Sequence, residues 1–361
     1  MKGLEAEGPP PSAAMPGATL SDRPATLALA LNLGLVFLAY ADTVRFQFVH
    51  DDIFQILGNT WLRSWKYLPR YFTADVWAFQ HTVGHGNMYP RVFLLWLHLQ
   101  YLLFGANPWG WHLSTVLCHL GATLLVYFTA ARLLEDRLGA LFATLIFGLH
   151  PTHAGAIAWV SGVSEPLCGI FLLAAYLCYL KKRAELVHAR TYRVASLGLY
   201  ALACLAKETA VILPLIILAC EFLWSERTHV VSWRAWAGRT QGAFTVVAPY
   251  LTLFAVYLVA RVVALRGFQN AREAHSILSM FLTWPSVLWF YLRHLLWPAH
   301  LIPLLGVLHS LRCSKLFMAD YSGPDGGCRS VVLGQALLES GGRHPLDDRA
   351  HLAGAGCAVV P

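Results

Sequence analysis

Charge is what this chain has least of. Only 13% of its 361 residues are Asp, Glu, Lys or Arg, about half the share usual in a soluble domain. Hydrophobic residues make up 57% and aromatic residues 13%. A soluble fold of this length has too little interior to hide so much apolar surface. Uncharged runs recur along the chain, and crossing about 30 Å of hydrocarbon takes roughly 20 residues. The fold class is therefore all-α, a polytopic transmembrane helical bundle. Other absences narrow the chemistry. The eight cysteines show no CxxC or Cys/His zinc spacing, which leaves a disulfide framework or structural zinc without support. There is no Gly-rich phosphate loop, nucleotide fingerprint or Ser/His/Asp triad pattern. None of the five asparagines begins an N-x-S/T acceptor, which favours a bacterial inner membrane over an endoplasmic reticulum membrane, the latter applying if the source is eukaryotic. The formal charge of +7 comes without a basic, aromatic-interleaved groove, so no nucleic-acid partner is expected. It belongs to short loops, where orientation signals sit.

What is present falls into three stretches. Residues 1–24, with Pro9, Pro10, Pro11 and Pro16, read as a disordered leader. Ala39-Tyr40-Ala41 imitates a signal-peptidase site, but the polar and Pro-rich residues ahead of the apolar run favour an uncleaved first helix. Residues 25–305 form the membrane domain, and 306–361 a poorly ordered tail without a helical repeat. Spans are expected near 25–44, 112–131, 137–150, 166–180, 194–206, 208–224 and 241–265, with 277–297 an eighth span or an interfacial helix. Residues 42–111 make a long first loop. Its early part mixes aromatic residues with Arg63, Lys66 and Arg70, as helices in the headgroup region do. Its later part holds an apolar run over 91–105, too short to cross comfortably and read as interfacial or re-entrant. Counted this way, Arg132 and Arg137, the basic group over 181–193, and Arg227, Arg234 and Arg239 all face the cytoplasm. The polar segments at 50–52, 150–165 and 207–208 then share the opposite face.

Those three segments carry the candidate chemistry. His50-Asp51-Asp52 offers adjacent carboxylates whose proximity pushes their pKa values apart, suited to accepting a hydroxyl proton or binding a cation. The plainer reading is a capped helix start. His150-Pro151-Thr152-His153 leads to Glu165, which either caps the helix beginning at Pro166 or faces a substrate. His50, His150 and His153 with the aspartates are ligand types for a divalent cation, though no tight spacing such as HExxH occurs. Lys207-Glu208 lies between two apolar runs; such groups pair with each other or face a polar cavity, where Lys207 can neutralise a lipid phosphate. Arg91, Arg261, Arg266 and Arg293 are phosphate contacts or snorkelling anchors.

The segments FVHDD (48–52), YPRVFLLWLHLQYLLFGANPWGWHL (89–113), HPTHAGAIAWVSGVSEPL (150–167) and LAKET (205–209) follow one another in this order. In this the chain resembles the TMTC-type membrane protein O-mannosyltransferases and their bacterial tetratricopeptide-containing relatives, within the GT-C class of glycosyltransferases, over roughly residues 25–303. The resemblance implies a GT-C-like bundle with interfacial helices in the first extracytoplasmic loop. It also implies transfer of a sugar, mannose foremost, from a polyprenyl or dolichyl phosphate donor in the bilayer to a protein hydroxyl, with inversion. The implied catalytic acids are Asp51, Asp52 and Glu165. Lys207, Arg91 and His153 are the basic groups for the donor phosphate, and His50, His150 and Glu208 support them. The tetratricopeptide repeats of that family are not visible in the tail. Two other functions compete: a lipid-linked substrate transporter or flippase, and a truncated, inactive membrane scaffold.

Overall fold

The computed structural model describes residues 23–80, 89–185, 187–223, 233–265 and 277–298. Of the leader expected over 1–24, Arg23 and Pro24 start the first helix and the rest lies outside the described residues, as do the tail over 306–361, Arg227 and Arg266. Among the described residues there is no strand. The protein is all-α, as its composition requires. Two compact units are present: one holds residues 23–265, and most of the last helix, α11 (Ile277–Leu296), belongs to the other.

The larger unit begins with α1 (Arg23–Tyr40), whose buried side holds Leu29, Val36 and Tyr40. Its opposite side exposes Leu27, Leu31, Leu35 and Leu38. A helix that is apolar on both sides belongs in lipid. The first loop follows, with a short helix α2 (Leu68–Thr73) and the apolar α3 (Arg91–Phe104). At 14 residues α3 is about 21 Å long, short of the hydrocarbon thickness, in keeping with a non-crossing element. Asn107 and Pro108 start α4 (Pro108–Leu134), the fixed proline φ suiting the first helical turn. Glu135 ends it in the left-handed region at φ 53°. Asp136 then caps α5 (Arg137–Leu149) by accepting from the backbone of Leu138 and Gly139.

At His150-Pro151 the path bends by 43° into α6 (Ala154–Ala158). A turn over Val160–Val163 leads to α7 (Ser164–Ala184), which has Glu165 in its first turn and Lys181, Lys182 and Arg183 in its last, as the helix dipole favours. α8 (Ala189–Ala206) runs back along α7. Extended backbone at Lys207 separates it from α9 (Ile212–Leu223), and α10 (Trp233–Leu265) packs on both. The buried Ser196 hydroxyl fastens three of these helices, donating to the Ala175 carbonyl at 2.7 Å and meeting Tyr250 Oη at 2.6 Å.

Among the described residues, four helical stretches are long and apolar enough to cross a membrane: Arg23–Arg45, Pro108–Leu134, Val160–Ala184 and Ala237–Leu265. The bent pair Arg137–Leu149 with Pro151–Ala158 would make a fifth. Seven or eight spans were expected. α8 falls short because Arg190 and Arg193 occupy its first turns, and the segment after α9 (Ile212–Leu223) lies outside the described residues. The aromatic part of the first loop also does more than line a headgroup layer. Trp61, Tyr71 and Phe79 are buried in one continuous core with Leu94 and Leu97 of α3, Tyr176 of α7 and Tyr257 of α10.

Candidate functional site

The acidic turn after α1 is built under backbone strain. His50 has φ 48°, a left-handed conformation that costs a side-chain-bearing residue energy. A π-helical turn, Ile53–Leu57, follows immediately. Both features recur at functional sites. The two aspartates they present are not equivalent. Asp52 is fully buried. Its Oδ1 accepts from Ser161 N at 2.8 Å and Ser161 Oγ at 2.5 Å, and its Oδ2 accepts from Val49 N at 3.3 Å. Burying a carboxylate without such donors would be costly. Asp51 is only half-buried, and no hydrogen bond or ion pair engages it among the described residues. Burial pushes its carboxyl above the ordinary aspartate range; the Asp52 charge adds to this and His50 opposes it.

Ser161 brings the second polar segment to this turn across 109 positions of sequence. The backbone allows it through Gly162, where a Cβ would meet Ala156 Cα at 2.9 Å. Four residues beyond Ser161, Glu165 forms an ion pair with Lys207. Glu208, next in sequence, faces Arg261 of α10 at 3.7 Å. Lys207 and Glu208 thus pair with other elements rather than with each other. The Cys168 thiol lies 3.9 Å from the Lys207 carbonyl and 3.8 Å from Thr209 Oγ1, closing α7 over the break between α8 and α9. The three polar segments therefore form one connected assembly.

Arg91 reaches this assembly from the first loop. It is fully buried, donates to the Ala74 carbonyl at 2.6 Å and stacks with its guanidinium 3.3 Å from the centre of the Tyr89 ring. Burial pulls it down to about 10, with Tyr89, Asp75 and Tyr257 opposing. Its Nε and Nη2 have no hydrogen-bond partner among the described residues. The Tyr89 ring lies 6.1 Å from that of Tyr257, which is within electrostatic reach of Arg261 and Glu208. Arg91 is an enclosed cation, not a snorkelling anchor.

His153 and His150 stand apart. The His153 ring neighbours Phe147 at 4.5 Å, His119 at 5.2 Å and His150 at 6.3 Å, not Lys207 or Arg91. His150 Nδ1 turns to Thr152, capping the turn that follows the bend. Among the described residues no three His, Cys, Asp or Glu side chains are grouped to hold a metal ion. Sequence reasoning missed Ser161 as a partner of Asp52 and Tyr257 as the neighbour of Arg91, because neither contact has a local signature.

The chain is 33% identical over 191 residues to protein O-mannosyl-transferase Tmtc1 of Drosophila melanogaster, covering 52% of this chain and 22% of that protein. It is 34% identical over 189 residues to Tmtc2 of the same organism, covering 49% and 20%. It is 30% identical over 156 residues to TMTC3 of Homo sapiens, covering 43% and 17%. The matched part thus spans about a fifth of each relative's length. No family model and no solved structure matches. These relatives come from animals, which corrects the preference for a bacterial inner membrane; five asparagines are too few for a missing glycosylation acceptor to separate the two compartments. Across about half of its length, this integral membrane protein is similar to the TMTC-type protein O-mannosyl-transferases.

Proposed function

We propose that the protein is a GT-C-like membrane glycosyltransferase. It moves a sugar, mannose by the names of its relatives, from a polyprenyl or dolichyl phosphate donor to a protein hydroxyl on the extracytoplasmic side of an endoplasmic reticulum membrane. The observation that carries this reading is the meeting of three separate polar segments through Asp52–Ser161 and Glu165–Lys207, beside a carboxylate at Asp51 with no hydrogen bond among the described residues. Asp51 takes the proton of the acceptor hydroxyl as its oxygen bonds to the anomeric carbon. The bond from that carbon to the phosphate oxygen breaks, and its electron pair leaves with the lipid phosphate. Lys207 and the enclosed Arg91 supply positive charge for that leaving group. Attack from the face opposite the leaving group inverts the anomeric centre.

A transporter of lipid-linked substrate is the second reading, favoured by the broken α8–α9 junction at an ion-paired Lys207-Glu208. One experiment separates the two: the full chain in phospholipid vesicles, given radiolabelled polyprenyl-phosphate mannose and an acceptor peptide bearing Ser and Thr. Label in the peptide, lost on Asp51→Asn, is the expected result. Label that crosses the bilayer still attached to lipid, with none in the peptide, overturns the transferase.

A further inference from the structure

Resting on the transferase reading, we infer that Ser161 is a positioning residue: it clamps Asp52 from the second polar segment, so that Asp52 anchors the first loop and Asp51 alone acts as the base. Asp52 has no room for a substrate proton. Both of its oxygens are occupied, its side chain is fully buried, and two of its three donors come from Ser161. Asp51 is the adjacent residue, yet no side chain or backbone group of the described residues bonds to it. Something must nevertheless fix its direction, because the His50 backbone that precedes it is in a strained conformation that relaxes unless its surroundings hold it. The Asp52–Ser161 bonds are a long-range polar tether at that turn. Gly162 shows the tether is built in, since any side chain there would collide with the Ala156 backbone and push Ser161 away.

The step this serves is the one written above. The Asp51 carboxylate takes the hydroxyl proton, the acceptor oxygen bonds to the anomeric carbon, and the electron pair of the breaking bond leaves on phosphate. Asp52 neither gives nor takes a proton in it. The titratable groups facing this pair are few: Asp52 and His50 act on Asp51 from its own turn, and His112 of α4, fully buried and set edge-on to Phe46 at 6.1 Å, faces Asp52.

The test uses the full chain in phosphatidylcholine vesicles, with two readouts. The first is transfer from radiolabelled polyprenyl-phosphate mannose to a Ser/Thr peptide across a range of pH. Ser161→Ala is expected to lower kcat about tenfold, the loss of one charge-assisted hydrogen bond, with KM for the lipid donor unchanged. Ser161→Thr, which keeps the hydroxyl, restores most of the rate. The second readout is labelling of carboxyl groups by a lipid-soluble carbodiimide, located by peptide mass spectrometry, and it needs no turnover. In the wild type Asp51 is labelled and Asp52 protected; in Ser161→Ala, Asp52 becomes reactive. Equal labelling of Asp51 and Asp52 in the wild type overturns the inference, as does a Ser161→Ala enzyme with unchanged kcat. A wild type that labels as expected yet transfers no sugar defeats the transferase reading and leaves the unequal roles of the two aspartates standing.

Discussion

At the scale of single residues, two neighbouring aspartates differ because one has donors and the other has none. A base must be ionised to accept a proton, so transfer should fail as pH falls through the Asp51 pKa. Burial and then the Asp52 charge raise that pKa, so the acid limb of the pH–rate profile should lie above the ordinary aspartate range. Asp52→Asn removes one of those causes and should move the limb to lower pH; a limb that stays in place, measured over the same buffers, counts against the assignment. Asp52→Ala is a different matter, since it strands the Ser161 and Val49 N–H groups away from water. A loss of about 2–5 kcal/mol in stability is expected, visible as a lower unfolding temperature in detergent, while Asp52→Asn keeps an acceptor and costs less.

The acidic pair was legible in the sequence because carboxylates just beyond an apolar run of some twenty residues are conspicuous. Their unequal surroundings were not, because Ser161, which bonds to Asp52, lies 109 positions away. Lys207 was legible as an ionisable residue between apolar runs. Two fates were open to it, a bond to Glu208 or a polar cavity; adjacent Lys207 and Glu208 leave an extended backbone in different directions and meet Glu165 and Arg261. His153 looked like a phosphate ligand on charge alone, yet the bend at Pro151 turns it into a cluster of rings.

At the scale of elements, the turn from α6 to α7 and the break between α8 and α9 carry the site, and both are held by small features. Gly162→Ala forces a methyl group against the Ala156 backbone. Transfer activity should fall at least as far as in Ser161→Ala, since the whole Ser161 turn must shift; unimpaired activity would mean that turn is not what aims the acids. The Glu165–Lys207 pair is half exposed on the glutamate side and 27% exposed on the lysine side. Its contribution to stability should therefore be small, about 0.2–1 kcal/mol in a double-mutant cycle. Its contribution to transfer should be much larger, tenfold or more for Lys207→Ala. Equal, small effects on both would make the pair structural.

At the scale of the molecule, the fold class followed from composition, since so little charge in so long a chain leaves few alternatives to lipid. The number of spans did not. Hydropathy marks apolar runs without weighing the charge inside them, and α8 carries Arg190 and Arg193 near its start. The expectation that three polar segments share one end of the bundle depended on which runs cross, and the bonds from Asp52 to Ser161 and from Glu165 to Lys207 bring them together directly. α7 carries Glu165 in its first turn and three basic residues in its last.

The central claim is that acids from separate connections build one site on one membrane face, and side-specific labelling tests it most directly. Single cysteines replacing His50, Glu165 and the exposed Val187 would be introduced and the sealed vesicles treated with a membrane-impermeant maleimide. Cysteines at 50 and 165 should react from the same side, and the cysteine at 187 from the other. Reaction of 50 and 165 from opposite sides would contradict the account.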